Sequence, residues 1–471
     1  MVRNMIRLLT SILFCSLPLA AAWADGAVYA MTNALVNNEI LVYHRNAQGN
    51  LTFVDAVATG GGGSGLQLAA VDSLGSAGSV QLDPDHRLLF AVNTESANQN
   101  NGVGTYNTDC QQGTITSFQV ASDGTLTFAD RVFSGGLFPN SLTVRKRGRG
   151  DDGRRHDEHK GGHADLLYVL NAGGPEPPAV CNLTPDTANT PNITGFKVDR
   201  AGHMIPLGST QPLDPGPAAG TGANCVDAAG FAALTGAPAA DFACGLNPPS
   251  FPRSPAQVRF TPDGDQLVVT VKGTNTIYVF PVDEDGSADN PTTTQAPGPA
   301  LPTFFGLTFD KLGHLLVAET FGSATTIPEG GAGAVSSFTI TNPATNAGQL
   351  LPISSHIGDG GTAACWIALE PTTGVYAYVA NNLSASISSY KVGNAGSVTL
   401  LNGTAATPSG PNDLAIATEG GASFLYVVAA GSGMVGAFQI NLTNGSLTPI
   451  TGSSVFPGFP GTTFPQGLAA F

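Results

Sequence analysis

Lys272 follows the apolar run "QLVVTV" and Glu319 ends the run "LLVAE". An ammonium and a carboxylate at matching ends of two successive runs have the makings of a general acid and base, or of a clamp for a substrate carboxylate. Arg253, just ahead of "SPAQVRF", adds a guanidinium suited to an anion. Asn93, Asn171 and Asn381 end equivalent runs, while Asn140, Gln257, Asn412, Asp413 and Gln466 stand near the heads of others. Such groups hydrogen-bond hydroxyls and carboxylates, so these eight are candidate ligand-binding residues. The plainer alternative is an ordinary ion pair with Asn and Gln capping loop backbone, and geometry must choose between the two. His356 is an imidazole late in its own repeat.

A second charged constellation is "RKRGRGDDGRRHDEHKGGHAD", residues 145 to 165, with His156, His159 and His163. Its flexible, Gly-rich composition and neighbouring cations disfavour a fixed metal geometry, so a solvated loop insertion is expected and no metal site is assigned. The 34 Asp and Glu against 19 Lys and Arg give a formal charge of −15, a field that repels nucleic acid. The "DEDGSADN" turn misses the spacing of a helix-loop-helix calcium site, and no G-x-S-x-G elbow or P-loop is present. No cofactor is implied.

The elements that must position these residues are repeats. Segments "ILVY", "ITSF", "ITGF", "IYVF", "VSSF", "ISSY" and "VGAF" end at Tyr43, Phe118, Phe196, Phe280, Phe338, Tyr390 and Phe438. Each is followed by a turn such as "ASDGTLT" or "NLTNGSLT", whose Gly, Asn and Asp tolerate the positive φ of tight hairpins. An earlier hairpin precedes most of them, clearest in "SPAQVRFTPDGDQLVVTVKGTNTIYVF". Four strands per unit in seven units predict an all-β, seven-bladed β-propeller. The first unit lacks its innermost strand, and the terminal "FPQGLAAF" matches the strand heads "FPNSLTV", "SPAQVRF" and "GPNDLAI". The C-terminal strand is therefore expected to join the first blade and close the ring.

Residues 1–24 read as a secretion signal: Arg3 and Arg7 precede an apolar run that ends in small residues at "AWA". Phe14 before Cys15 does not fit lipid attachment, and no later stretch is long and apolar enough to span a membrane. A secreted or periplasmic protein, residues 25–471, is expected. Without the leader, 17 cations face 34 acids. Cys110 and Cys181 fall in loops of neighbouring blades, and Cys225 and Cys244 fall within the 208–253 excursion; these are disulfide candidates, with Cys365 buried and unpaired. The longest insertions fall on one face, here called top, where the second strand of each blade ends. Loops on a rigid scaffold make that face the expected site.

The repeated "SPAQVRFTPDGDQLVVTV" and "GPNDLAIA…LYVVAAG" units, with their "DGTLT" and "NGSLT" hairpins, resemble the lactonase-like seven-bladed propellers of YVTN-type repeat, the group with 6-phosphogluconolactonases and carboxymuconate cyclases. The resemblance spans nearly all of the mature chain. It implies a lactone or sugar acid handled at the top mouth of the channel by Glu319 with Lys272 or Arg253, although no strand head here carries the His usual in that family. An exported chain would meet a small unphosphorylated lactone rather than a cytosolic phosphorylated one. The alternative is a noncatalytic binding or scaffold propeller that recognises glycan, cell wall or protein. A monomer is expected in either case.

Overall fold

The computed structural model describes residues 26–65, 72, 74–83, 85, 87–94, 113–145, 165–173, 191–213, 255–272, 276–295, 303–320, 333–341, 348–450 and 465–471. Its strands form seven four-stranded antiparallel sheets. Blade 2 runs outward through Val80–Leu82, Leu88–Asn93, Thr114–Val120 and Leu126–Phe133. Blade 3 comprises Pro139–Arg145, Asp165–Asn171, Asn192–Val198 and Met204–Pro212, and blade 4 Pro255–Phe260, Gln266–Val271, Thr276–Pro281 and Thr292–Gln295. Blade 5 comprises Phe304–Phe309, Leu315–Glu319, Ala334–Ile340 and Leu350–Gly358, and blade 6 Ala364–Leu369, Tyr376–Asn381, Ser386–Val392 and Val398–Ala406. Blade 7 is Pro411–Glu419, Ala422–Ala429, Met434–Ile440 and Leu447–Pro449.

Blade 1 is assembled from both ends of the chain. Leu468–Ala470 pairs antiparallel with Gly26–Met31, ahead of Glu39–Arg45 and Leu51–Ala58. Met31 N donates to Gly467 O at 3.0 Å and Phe471 N to Ala27 O at 3.0 Å, so the ring closes through backbone bonds and no inner edge of blade 1 is left open. This is the closure expected from "FPQGLAAF".

Second strands such as Leu88–Asn93, Gln266–Val271 and Tyr376–Asn381 are buried along their whole length. Neighbouring blades cover both of their faces, which is why they read as continuous apolar runs rather than alternating ones. The aromatic residues that mark the third strands, Tyr43 through Phe438, are all buried. Hydrophobic clusters therefore lie between blades rather than in one central mass.

The repeat also has a polar latch. Tyr29, Tyr168, Tyr378 and Tyr426, each in a second strand, donate their hydroxyls to Gly124, Gly286, Gly445 and Gly49 at 2.7, 2.6, 3.0 and 3.0 Å. Each acceptor lies in the outer hairpin turn of the following blade, at φ +83, +94, +74 and +81°. One Gly thus serves the left-handed turn and presents its carbonyl to the neighbouring blade. Blade 2 has Phe90 at this position, and Ser117 Oγ bonds Gly202 O at 2.6 Å instead.

Candidate functional site

The structure separates Lys272 from Glu319 by a single register step. Asn93, Asn171, Glu319 and Asn381 are the last residues of their strands, whereas Lys272 lies one residue beyond Val271. Side chains alternate between the two faces of a sheet along a strand, so Lys272 leaves on the opposite side from the other four and reaches the Gly75 carbonyl.

On the outer side, the asparagines tie strands and blades together. Asn93 Nδ2 donates to Thr114 and Thr116 Oγ1 at 3.1 and 3.0 Å, and its Oδ1 accepts from Thr59 of blade 1 at 2.6 Å. Asn171 Nδ2 bonds Ser134 O and Asn192 Oδ1, and Asn381 Nδ2 bonds Ser386 and Ser388 Oγ. Blade 5 breaks the pattern with a carboxylate. Glu319, fully buried, accepts from His356 Nδ1 on Oε2 at 2.7 Å, and its Oε1 has no hydrogen-bond partner among the described residues.

His356 sits in a bulge of the outermost strand, where pairing skips between Val335 and Ser337, at φ +52°. Blade 3 has Gly208, φ +77°, in its corresponding bulge. A left-handed non-Gly residue is strained, and such strain concentrates at functional positions. Ser336 Oγ holds the His356 amide at 2.9 Å. Because a carboxylate only accepts, Nδ1 carries the hydrogen in this bond. The imidazole side chain is 21% exposed beside a carboxylate that is 0% exposed, so the pair reaches the top rim between blades 5 and 6 from a dry base.

That rim carries two further ionisable groups. Asp359 accepts from Gly361 N at 2.7 Å and Ser388 Oγ at 2.8 Å, and burial raises its carboxyl against those bonds. Tyr390 donates to Ile357 O at 3.0 Å; burial, then the carboxylates of Asp359 and Glu319, keep its phenol protonated. A buried acid, an imidazole on that acid, and a protonated phenol near both can move a proton at the rim.

The channel axis is organised differently. Residues 74–79, which lead into blade 2, cross it as a strap. Ser76 O accepts from Trp366 Nε1 at 3.0 Å and Gln466 Nε2 at 2.5 Å, and Gly75 O accepts from Lys272 Nζ. Leu74 N donates to Gln466 Oε1 at 3.0 Å, Ser76 Oγ to Asn140 O at 2.7 Å, and Ala77 N to Ala256 O at 3.0 Å. Lys272 is fully buried 5.2 Å from the centroid of the Phe305 ring; burial lowers its pKa, and Asp72 partly restores it. Asp72 is raised by burial, partly offset by Lys272 and by the Gly75 amide, which donates to Oδ1 at 2.8 Å. Asp413 is pushed up to about 7, chiefly by burial, while Leu414 N and Leu468 N donate to it.

Residues 332–458 match the family model described as a lactonase, seven-bladed β-propeller. The whole chain folds as a seven-bladed β-propeller, and that stretch is similar to the lactonase family. Solved structures with the same fold include a candidate 6-phosphogluconolactonase from Bacteroides fragilis, at 15% identity and TM-score 0.59 over 96% of this chain and 99% of that one. Another is the periplasmic gluconolactonase PpgL of Pseudomonas aeruginosa, at 15% identity and TM-score 0.58 over 94% and 98% of the respective chains. No curated protein matches by sequence.

Within this propeller the remaining strand-head residues face their neighbours. Asn140 Nδ2 donates to Pro255 O at 2.9 Å, Gln257 Oε1 accepts from Leu307 N at 2.6 Å, and Asn412 Oδ1 accepts from Asn382 Nδ2. Each bond joins successive blades at the axis. Cys365 is buried and unpaired, 3.6 Å from Thr320 Oγ1, as the sequence suggested. Arg253, the disulfide candidates Cys110, Cys181, Cys225 and Cys244, residues 146–164 and the leader lie outside the described residues. Among the described residues no group of His, Cys, Asp and Glu is arranged to hold a metal, and no helix is long and apolar enough to cross a membrane.

The sequence does not mark the strap as an element, because "LGSAGS" carries no ionisable residue and no period. Its small side chains were the available signal, since only such residues fit where inner strands converge. The Glu319–His356 pairing joins residues 37 apart through a bulge that sequence periodicity does not show.

Proposed function

We propose that the protein opens a small, unphosphorylated sugar lactone, outside the cytoplasm, by general-base attack of water at the top rim. The observation carrying this reading is the Glu319–His356 pair, a buried carboxylate at the repeat's Asn position bonded at 2.7 Å to an imidazole at positive φ. The water oxygen bonds the lactone carbonyl carbon as His356 takes its proton through Nε2; the ring C–O bond then breaks, and that proton passes to the departing ring oxygen. Glu319 fixes the ring and stabilises its cation as the proton arrives. The family match, the gluconolactonase name of the Pseudomonas neighbour and the signal-like leader support the substrate class and location. Lys272 and Arg253 are assigned no step in this chemistry.

The test is a panel of aldono- and simpler lactones, with rates taken above spontaneous opening, for the wild type and Glu319→Gln. A lactone turned over by the wild type and slowed about 100-fold or more in Glu319→Gln is expected. Absence of turnover across the panel would overturn the reading.

A further inference from the structure

We infer that the lower half of the central channel, on the far side of the strap from the rim, binds a small inorganic oxoanion of the phosphate or sulfate type on Arg259. Arg259 lies in the innermost strand of blade 4, one residue before that strand ends at Phe260. It is four residues from the strand head Pro255, about 13 Å along the axis from the top mouth. Val258 and Phe260 pack into the cluster shared with blade 3, so Gln257 and Arg259 face the other way, onto blade 5. Gln257 Oε1 accepts from Leu307 N at 2.6 Å, and Arg259 Nη1 stands 3.5 Å from Leu307 O, at the long limit of a hydrogen bond. Every other residue of this strand is buried, while Arg259 is exposed. On an innermost strand, that exposure is to the channel.

The guanidinium is enclosed without being paired. No carboxylate contacts it among the described residues, and burial alone lowers its pKa, as expected of a cation in a lumen walled by protein. The same level of the other six blades carries Gln81, Thr143, Thr308, Ala368, Ala415 and Ala469. No acid therefore opposes the charge, and mostly small side chains leave the lumen open. A desolvated cation with most of its five N–H donors unengaged is costly until an anion joins it. Two amides complete the seat. A Cβ on Gly78 would lie 3.2 Å from Gln81 Nε2 and 3.3 Å from Gln257 Nε2, so both nitrogens meet where the strap enters blade 2. The strap stays in place as the roof. Donors from blades 2 and 4 reach the lumen from different directions, which suits the four oxygens of a tetrahedral oxoanion better than the two of a planar carboxylate.

The test reads binding rather than turnover, so it stands or falls apart from the lactone chemistry. Inorganic phosphate and sulfate are titrated calorimetrically into the full-length wild type, Arg259→Lys, Arg259→Met and Glu319→Gln, at an ionic strength held constant with chloride. One saturable site per chain is expected for each anion. Affinity should fall at least about tenfold in Arg259→Met and by less in Arg259→Lys, which keeps the charge but loses the fork. Glu319→Gln should bind as the wild type does, because the rim lies beyond the strap. Thermal unfolding gives an independent readout. Sulfate that saturates the site should raise the melting temperature of the wild type over chloride, and do so less in Arg259→Met. No saturable binding by the wild type, affinity unchanged in Arg259→Met, or binding lost in Glu319→Gln would overturn the inference.

Discussion

Asp413 shows what one buried carboxyl does to the pH response of the whole ring. Burial pushes it up to about 7 from an ordinary 3.8, so the folded chain holds a proton that the unfolded chain has released across that interval. A raised folded pKa contributes stability that is full below about 4 and lost as pH rises through about 7. Thermal unfolding between pH 4 and 8 should show Asp413→Asn gaining on the wild type by a few kcal/mol as pH increases, with a constant difference contradicting the assignment. At the same scale, Glu319 illustrates how far residue type can be read. Its place at a strand end was legible in "LLVAE", but its partner was not, because a one-residue offset relative to Lys272 sends the two side chains to opposite sides.

At the scale of elements, strand and turn cooperate through the tyrosine latches. Tyr168→Phe and Tyr426→Phe each remove one hydroxyl from a glycine carbonyl in the next blade. Each should cost about 1 kcal/mol in chemical denaturation, and the double variant should lose the sum, since blades 3 and 7 share no latch. Strong coupling between them would mean that the latches act as one network. Most of this level was visible in the sequence, because "DGTLT"-type turns and "LYVLN"-type strands recur with fixed local spacing. The bulge at His356 was not, since backbone pairing, not composition, decides where a strand skips.

For the whole molecule, closure is the element that makes seven independent sheets one body. Removing residues 465–471 exposes the inner edge of Gly26–Met31 and takes away Gln466, which holds the strap through Leu74 and Ser76. The truncated chain should melt well below the wild type and self-associate through the open edge, as seen by calorimetry and size exclusion. An unchanged melting temperature would show that the ring does not depend on its clasp. The closing strand could be anticipated because one missing strand and one surplus strand lie at opposite ends of the chain. The strap could not, because a segment that crosses the axis has neither strand periodicity nor a charged residue to mark it.

Lactone opening by the His356 imidazole, set by Glu319, is tested by chemical rescue. The rate of glucono-1,5-lactone opening above background is measured for the wild type, for His356→Ala, and for that variant with added imidazole. The variant should fall by about 100-fold or more and recover in part as imidazole increases. A His356→Ala protein that turns over lactone at the wild-type rate would contradict the claim.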